Sequence, residues 1–549
     1  MEISANIVDI FNGAVFPGTI EIKNGVISRI AKDGGRYDRY IMPGFIDAHV
    51  HIESSMLVPG GFARLAVRHG TVATVSDPHE IANVLGIEGV RYMIENGSSV
   101  PFKFFFGASP CVPATKFETA GAALDPGAVE ALLQKKEIRY LSEMMNFPGV
   151  INNDPDVMAK IALAKRYKKP VDGHAPGLRG EGLEKYIRAG ISTDHESFTY
   201  DEGKEKISLG MNILVREGSA AKNFDALSPL IAQYPSRCML CSDDLHPDDL
   251  VGGHINRLVK RACGTGIDTM TALRCACLNP VLHYNLDVGL LREGDGADFI
   301  EVDNLSDMNV LKTYIRGMLV AENGSSLIPC AASPHVNNFS AMAKRPEDFA
   351  VRSREGRINV IEAINDQVIT GRIEGRLKPR NGFIASDTGQ DILKLTVVNR
   401  YAEAPPAVAF VRNFGLKRGA IAASVAHDSH NIIAVGVADE DICSAVNAVI
   451  MNKGGLSVAY NNSTETLPLP VAGLMTDEDG HEVARQYSRL SDLAKQLGSS
   501  LRAPFMTLSF MALLVIPKLK LSDRGLFDGE AFTFTGLDII AHSEAPVRR

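Results

Sequence analysis

The sequence predicts an α/β fold: a (β/α)8 TIM barrel, a small composite β-sandwich domain and a C-terminal α+β domain. Three observations predict it. From about residue 43 to 284, eight strand-like runs alternate with helical ones, about 20 to 35 residues apart. Hairpin-like runs of one character lie on both sides of that stretch, at 1–42 and again at 285–340. After about residue 345 the texture changes once more.

The eight barrel strands are FIDAHV, TVATVS, KFFFGA, RYLSEM, PVDGHA, ISTDHE, NILVRE and CMLCSDD. Segments such as GIEGVRYMIENG, DVMAKIALAKRYK and GLEKYIRAG fall between them as helices. An open doubly wound sheet is the alternative, but no Gly-rich phosphate fingerprint opens a helix here. The flanking runs ANIVDIFNG, GTIEIKNGVISRIAK and VGLLREGDGADFIEVDN are broken by Asn-Gly and Gly, which punctuates hairpins. They are expected to form one β domain split by the barrel. In residues 345–549, LKLTVVNR and AVAFVRNF read as strands, with helices near 440–453 and 481–498.

Composition narrows the class. With 549 residues, 45% apolar and 22% charged, the chain reads as a soluble protein of two or three domains. A net charge of -8 gives no basic footprint for nucleic acid or a membrane. The N-terminus lacks signal-peptide character, and Phe505–Pro517, the most apolar segment, is too short to span a bilayer. Eight scattered cysteines suit a reduced, cytoplasmic protein; Cys238 and Cys241 read as a buried strand, not a zinc ribbon.

The chemistry is read from the strand ends. Residues i and i+2 of a strand face one side, so His49 and His51 of DAHVH can converge on one ion. Alone, that pair carries little. The second strand, however, ends in Asp77, His79 and Glu80, the fourth in Glu143, the fifth in His174, the sixth in His195 and the eighth in Asp243. Of 14 histidines, five sit at strand ends of one barrel. Imidazoles with carboxylates and no thiolate suit Zn, Fe or Mn in a catalytic site. His49, His51, Glu143, His174, His195 and Asp243 are too many ligands for one ion, so two divalent ions bridged by a carboxylate are expected. Such a pair brings the pKa of water towards neutrality, and Asp243 can take the proton and deliver it to a leaving group.

PGFIDAHVHIESSM, with GHAPGL, DHE, SDD and NPV…GLLREGDGADFI downstream, resembles the amidohydrolase superfamily. IESSML, DPHEIANVLG, SEMMN and the long C-terminal region resemble, within it, the bacterial-type adenine deaminase family. Many relatives carry a carboxylated lysine on the fourth strand; Glu143 stands here, as in the adenine deaminase pattern. The resemblance implies hydrolysis of adenine to hypoxanthine and ammonia in purine salvage, at a binuclear Fe(II) or Mn(II) centre, with Zn(II) as an alternative. It implies adenine and water as the reactants and a cytoplasmic enzyme, expected as a homodimer or higher homo-oligomer, without nucleic-acid or membrane partners. A related amidohydrolase acting on another cyclic amidine or amide, or a non-catalytic purine binder, is the competing reading.

Further residues are assigned more loosely. Glu80 is the preferred carrier of a proton to the ring, with His79 beside it, while Asp77 either reads the purine or caps the following helix. Glu53, Ser54 and Ser55 line the pocket or cap a helix. Arg216, Glu217, Gly218 and Ser219 stand where a specificity loop belongs. Asp244 and His246 are expected in a solvated loop, and His481 at the surface. His427, Asp428 and His430 could hold an extra metal or reach a neighbouring active site; a structural or interface role is favoured.

Overall fold

The structure, a computed structural model, describes residues 1–353 and 357–539. They form two compact units. The first comprises residues 1–114, 122–336 and 474–487; the second comprises 115–121, 337–473 and the chain from 488 onwards. Among the described residues no helix is long and apolar enough to cross a membrane.

In the first unit, β1 (Glu2–Asp9), β2 (Ala14–Lys23), β3 (Val26–Lys32) and β4 (Tyr40–Pro43) precede the barrel. The barrel strands are β5 (Phe45–Val50), β6 (Thr71–Ser76), β7 (Lys103–Ala108), β8 (Ile138–Met144), β9 (Val171–Gly173), β10 (Thr193–Asp194), β11 (Asn212–Arg216) and β12 (Cys238–Cys241). After them come β13 (Phe299–Val302), β14 (Val310–Ile315), β15 (Met318–Glu322) and β16 (Ser325–Ser326). The flanking strands form one sheet in the order β16-β15-β14-β13-β4-β1-β2-β3, so β4 and β13 join the two ends of the insertion.

The barrel strands pair in parallel as β5-β6-β7-β8-β9 and β10-β11-β12. A bridge between Val171 and Ile191 links the two sets, and one between Val50 and Asp243 closes the ring. TVATVS is buried at every position because helices cover the outer face, which explains its lack of polar alternation. At the closing seam, Asp47 accepts hydrogen bonds from the Ser242 amide (3.0 Å), the Ser242 hydroxyl and His254 Nε2 (2.8 Å). CMLC is a buried strand, as expected. The fifth and sixth strands are shorter than their sequence runs, since their polar ends turn into the barrel mouth.

Residues 474–487 lie on this unit as a strap. Thr476 makes backbone bonds to Met56 (2.9 Å) and Val58 (3.1 Å), behind the loop that follows His51.

The second unit is built on a sheet whose strands run Thr370–Arg376, Arg357–Ala363, Ala407–Arg412, Ile392–Val398, Ile432–Gly436, Ala420–Ala423, Gly455–Tyr460 and Ser463–Pro468. Helix Asp439–Met451 buries Ile442, Ala445, Val446 and Val449 against Val398, Ala420 and Ile432 of that sheet. The second long helix of the sequence reading runs Gly480–Gln496. In the same unit, His427, Asp428 and His430 are buried, with the two rings 5.6 Å apart. Arg400 Nη1 donates to the His430 carbonyl at 3.2 Å, which braces this loop.

Candidate metal centre

The ends of the barrel strands converge in the first unit. His49 points inwards from β5, and His51 follows it on the same side; their Nε2 atoms stand 3.2 Å apart. Both face Asp243 Oδ1, at 3.5 and 3.1 Å. Asp243 takes a left-handed φ of 56°, which Asp tolerates better than most side chains. That turn ends the eighth strand and aims the carboxylate into the barrel mouth.

Glu143 lies at the centre. Its Oε2 is 2.7 Å from His174 Nδ1 and 3.2 Å from His195 Nε2; its Oε1 is 3.3 Å from His51 Nε2 and 3.4 Å from His79 Nδ1. Gly173 permits this convergence, because a Cβ there would come within 2.4 Å of the Thr193 carbonyl. The strands carrying His174 and His195 can therefore approach closely. The His195 ring stacks on His49 with centroids 4.1 Å apart. His51 Nδ1 lies 3.1 Å from the Asp77 carbonyl, which fixes the ring and leaves Nε2 to the centre.

The donor set fits divalent cations. Burial raises the Glu143 carboxyl, yet His174 and His195 outweigh it and hold it well below its usual range. Asp243 is likewise held low against burial by Arg216, His49 and His51. Burial lowers His174, but Glu196 and Glu143 lift it to about 9. The two carboxylates are thus held ionised in a buried cluster, a charge that divalent cations can balance with the ring nitrogens as ligands. His49 Nδ1 and His174 Nε2 are buried without a hydrogen-bond partner. His49, His195 and Asp243 form one group able to hold an ion, and Glu143, His174 and His195 form another.

The remaining assigned residues divide. Asp77 Oδ2 lies 3.2 Å from His79 Nδ1 and its Oδ1 accepts the His79 amide at 3.1 Å, so it orients the ring and ties the turn before the helix, whose N-cap is Pro78. Glu80 Oε1 is 3.8 Å from His79 Nε2. Glu53 accepts the Ile81 amide at 3.2 Å, and burial, with Glu80 nearby, pushes its carboxyl up to about 7. The Ser54 hydroxyl donates to Asp244 Oδ1 at 2.5 Å, and Ser55 bonds the Ile52 carbonyl. The structure does not bring Glu217 to this group; it pairs with Arg261 (2.6 Å) and Lys222 (2.9 Å).

Two expectations are corrected. Asp244 is half-buried on Ser54, and His246 is buried with its Nδ1 2.5 Å from the Tyr487 hydroxyl, so neither belongs to a solvated loop. Tyr487 of the strap at 474–487 covers His246. His481 is exposed, as expected. Glu196 and Arg216 are the residues the sequence reading undervalued: Arg216 donates to both Glu196 oxygens, at 2.5 and 3.1 Å, and to Asp243 Oδ2. Glu196 directly follows His195 in DHE, and that was the available signal.

Comparison with known proteins shows the family. Residues 40–320 match the amidohydrolase family, and residues 367–533 match the adenine deaminase C-terminal domain. An adenine deaminase from Sulfurovum sp. (strain NBC37-1) is 57% identical, over 97% of this chain and 99% of its own. One from Salinibacter ruber is 56% identical, over 97% and 98%. Among solved structures, a beta-aspartyl dipeptidase from Fervidobacterium islandicum AW-1 covers 59% of this chain and 98% of its own, with a TM-score of 0.46 and 16% identity. The chain belongs to the amidohydrolase family and, within it, to the adenine deaminases.

Proposed function

We propose that this chain hydrolyses adenine at C6, releasing ammonia and leaving hypoxanthine, at a centre of two divalent cations, Fe(II) or Mn(II). His49, His51, Glu143, His174, His195 and Asp243 would hold them. When bound, such cations bring the pKa of water towards neutrality and so supply a nucleophile. The observation that carries the reading is Glu143, bracketed on both oxygens by four imidazoles in a member of this family.

The chain's own residues then orient and move protons. Asp243 accepts the proton of the attacking water and returns it to the departing amino group. Glu80 carries a proton to the ring nitrogen, and His79, oriented by Asp77, lies beside the ring. Glu53 and Ser54 border the purine; Glu217, tied to Arg261, shapes the edge of the pocket at a distance from the centre. The catalytic assignment is Asp243, Glu80 and His79. We further propose a cytoplasmic homo-oligomer; sedimentation of the purified protein tests the assembly, and cell fractionation tests the location.

The activity test is ammonia release from adenine at neutral pH by protein expressed with added Mn or Fe. A panel of other purines, pyrimidines and hydantoins runs beside it. Release from adenine with turnover above the panel is expected; none from metal-loaded protein overturns the proposal.

A further inference from the structure

We infer that Arg216 is a positioning residue of this reaction: its guanidinium holds Asp243 to a single inward oxygen and keeps Glu196 out of the ligand set. The inference rests on the metal-centre reading above.

Arg216 ends β11 and is 1% exposed. Removing a guanidinium from water costs several kcal/mol unless ionic partners replace the solvent. Its partners here are two carboxylates from different strand ends. Nη1 and Nη2 fork onto the two oxygens of Glu196, and Nη1 also reaches Asp243 Oδ2. The Nε–H is buried without an acceptor, so the side chain is placed for the carboxylates at the expense of its own satisfaction.

The geometry has two results. Asp243 is held at both ends, Oδ2 by Arg216 and Oδ1 before His49 and His51. Carboxylate torsions are soft and twofold, so without Arg216 this group can rotate and present both oxygens inwards. Glu196 meanwhile stands with Oε1 3.7 Å from both His174 Nδ1 and His195 Nε2. That is just outside bonding distance, on the side where those histidines meet Glu143. Released from its fork, Glu196 is one small rotation from joining the ligands. Each added anionic donor weakens the polarising power of the cations, so the guanidinium sets reactivity by limiting how many carboxylate oxygens enter.

The test compares Arg216→Met, Arg216→Lys and the double variant Arg216→Met/Glu196→Gln with wild type. Metal per chain, chelator release rate, the visible spectrum after Co2+ substitution, kcat and KM for adenine, and thermal midpoint are read for each. Arg216→Met is expected to keep its metal, release it more slowly, and lose Co2+ band intensity as coordination rises. Its kcat should fall about 100-fold, the upper range for loss of a residue that orients a ligand, with KM changed by less than about threefold. Arg216→Lys, a point charge without the planar fork, should fall between the two. Removing the intruding carboxylate in the double variant should recover part of both the band intensity and kcat.

A wild-type Co2+ spectrum and kcat in Arg216→Met, with only the thermal midpoint lowered, would show a structural role and overturn the inference. If Arg216→Met does not accumulate, Arg216→Lys decides: wild-type spectrum and kcat in it overturn the inference, and a partial loss of both supports it. Wild-type protein that binds no metal would instead defeat the metal-centre reading itself, an outcome seen before any variant is compared.

Discussion

Replacing Glu143 with Gln tests the centre most directly. The native carboxylate faces four imidazole nitrogens between 2.7 and 3.4 Å, and His174 and His195 hold it ionised against burial. The amide keeps the shape and removes the charge. Its NH2 end also presents hydrogens where a lone pair is needed. Removing one partner from a buried, compensated charge cluster costs ~3–5 kcal/mol. At 1.36 kcal/mol per factor of ten, metal affinity falls by roughly 10²–10⁴. Metal per chain after dialysis against a graded chelator, measured beside ammonia release, should show both collapsing together. A Glu143→Gln protein that keeps two metals and turns over within threefold of wild type would refute the ligand set.

Two other perturbations address stability. Asp47→Ala leaves the Ser242 amide, the Ser242 hydroxyl and His254 without their buried acceptor at the barrel seam; a cost of ~3–5 kcal/mol is expected, read as a lower thermal midpoint, and an unchanged midpoint would contradict it. In the second unit, Lys520 Nζ meets the carbonyls of Val368 and Phe510 at 2.7 and 2.9 Å, and burial pulls its amine down to about 7. The unfolded side chain titrates near ~10.4, so from about pH 7 to 10.4 the unfolded state binds more protons and stability rises with pH. The penalty, on the order of 5 kcal/mol, is complete below the folded value and relieved across that window. Denaturation midpoints at pH 7 and 9.5 should rise in wild type relative to Lys520→Met; parallel behaviour would rule the effect out.

The barrel and the identity of its inward-facing polar residues were legible in the sequence because strand geometry is local. A period of two tells which side a residue faces, so His49, His51, Glu143, His174 and His195 could be placed from their own strands. Pairing across the barrel mouth leaves no such trace. Arg216 sits at the end of NILVRE like any loop-bordering arginine, and nothing local shows that its partners lie on the strands before and after it. The loop after Asp243 misled for a similar reason: His246 looks solvated until Tyr487 is brought against it. The purine, too, came from long matching strings and not from any spacing.

The strap at 474–487 has a consequence for how the protein is made. Arg68 and His481, joined at 2.8 Å, are 413 residues apart in the chain. At ~5–20 residues per second, a ribosome needs roughly 20–80 seconds to travel between them. From the moment Asp243 has been made until that segment emerges, the nascent first unit holds all six proposed ligands but lacks the residues that meet His246 and back the loop after His51. The contacts that bury His246 and back this loop therefore form late, after most of the second unit has been made. A gene cut after residue 336 would leave those contacts unmade, however complete its barrel.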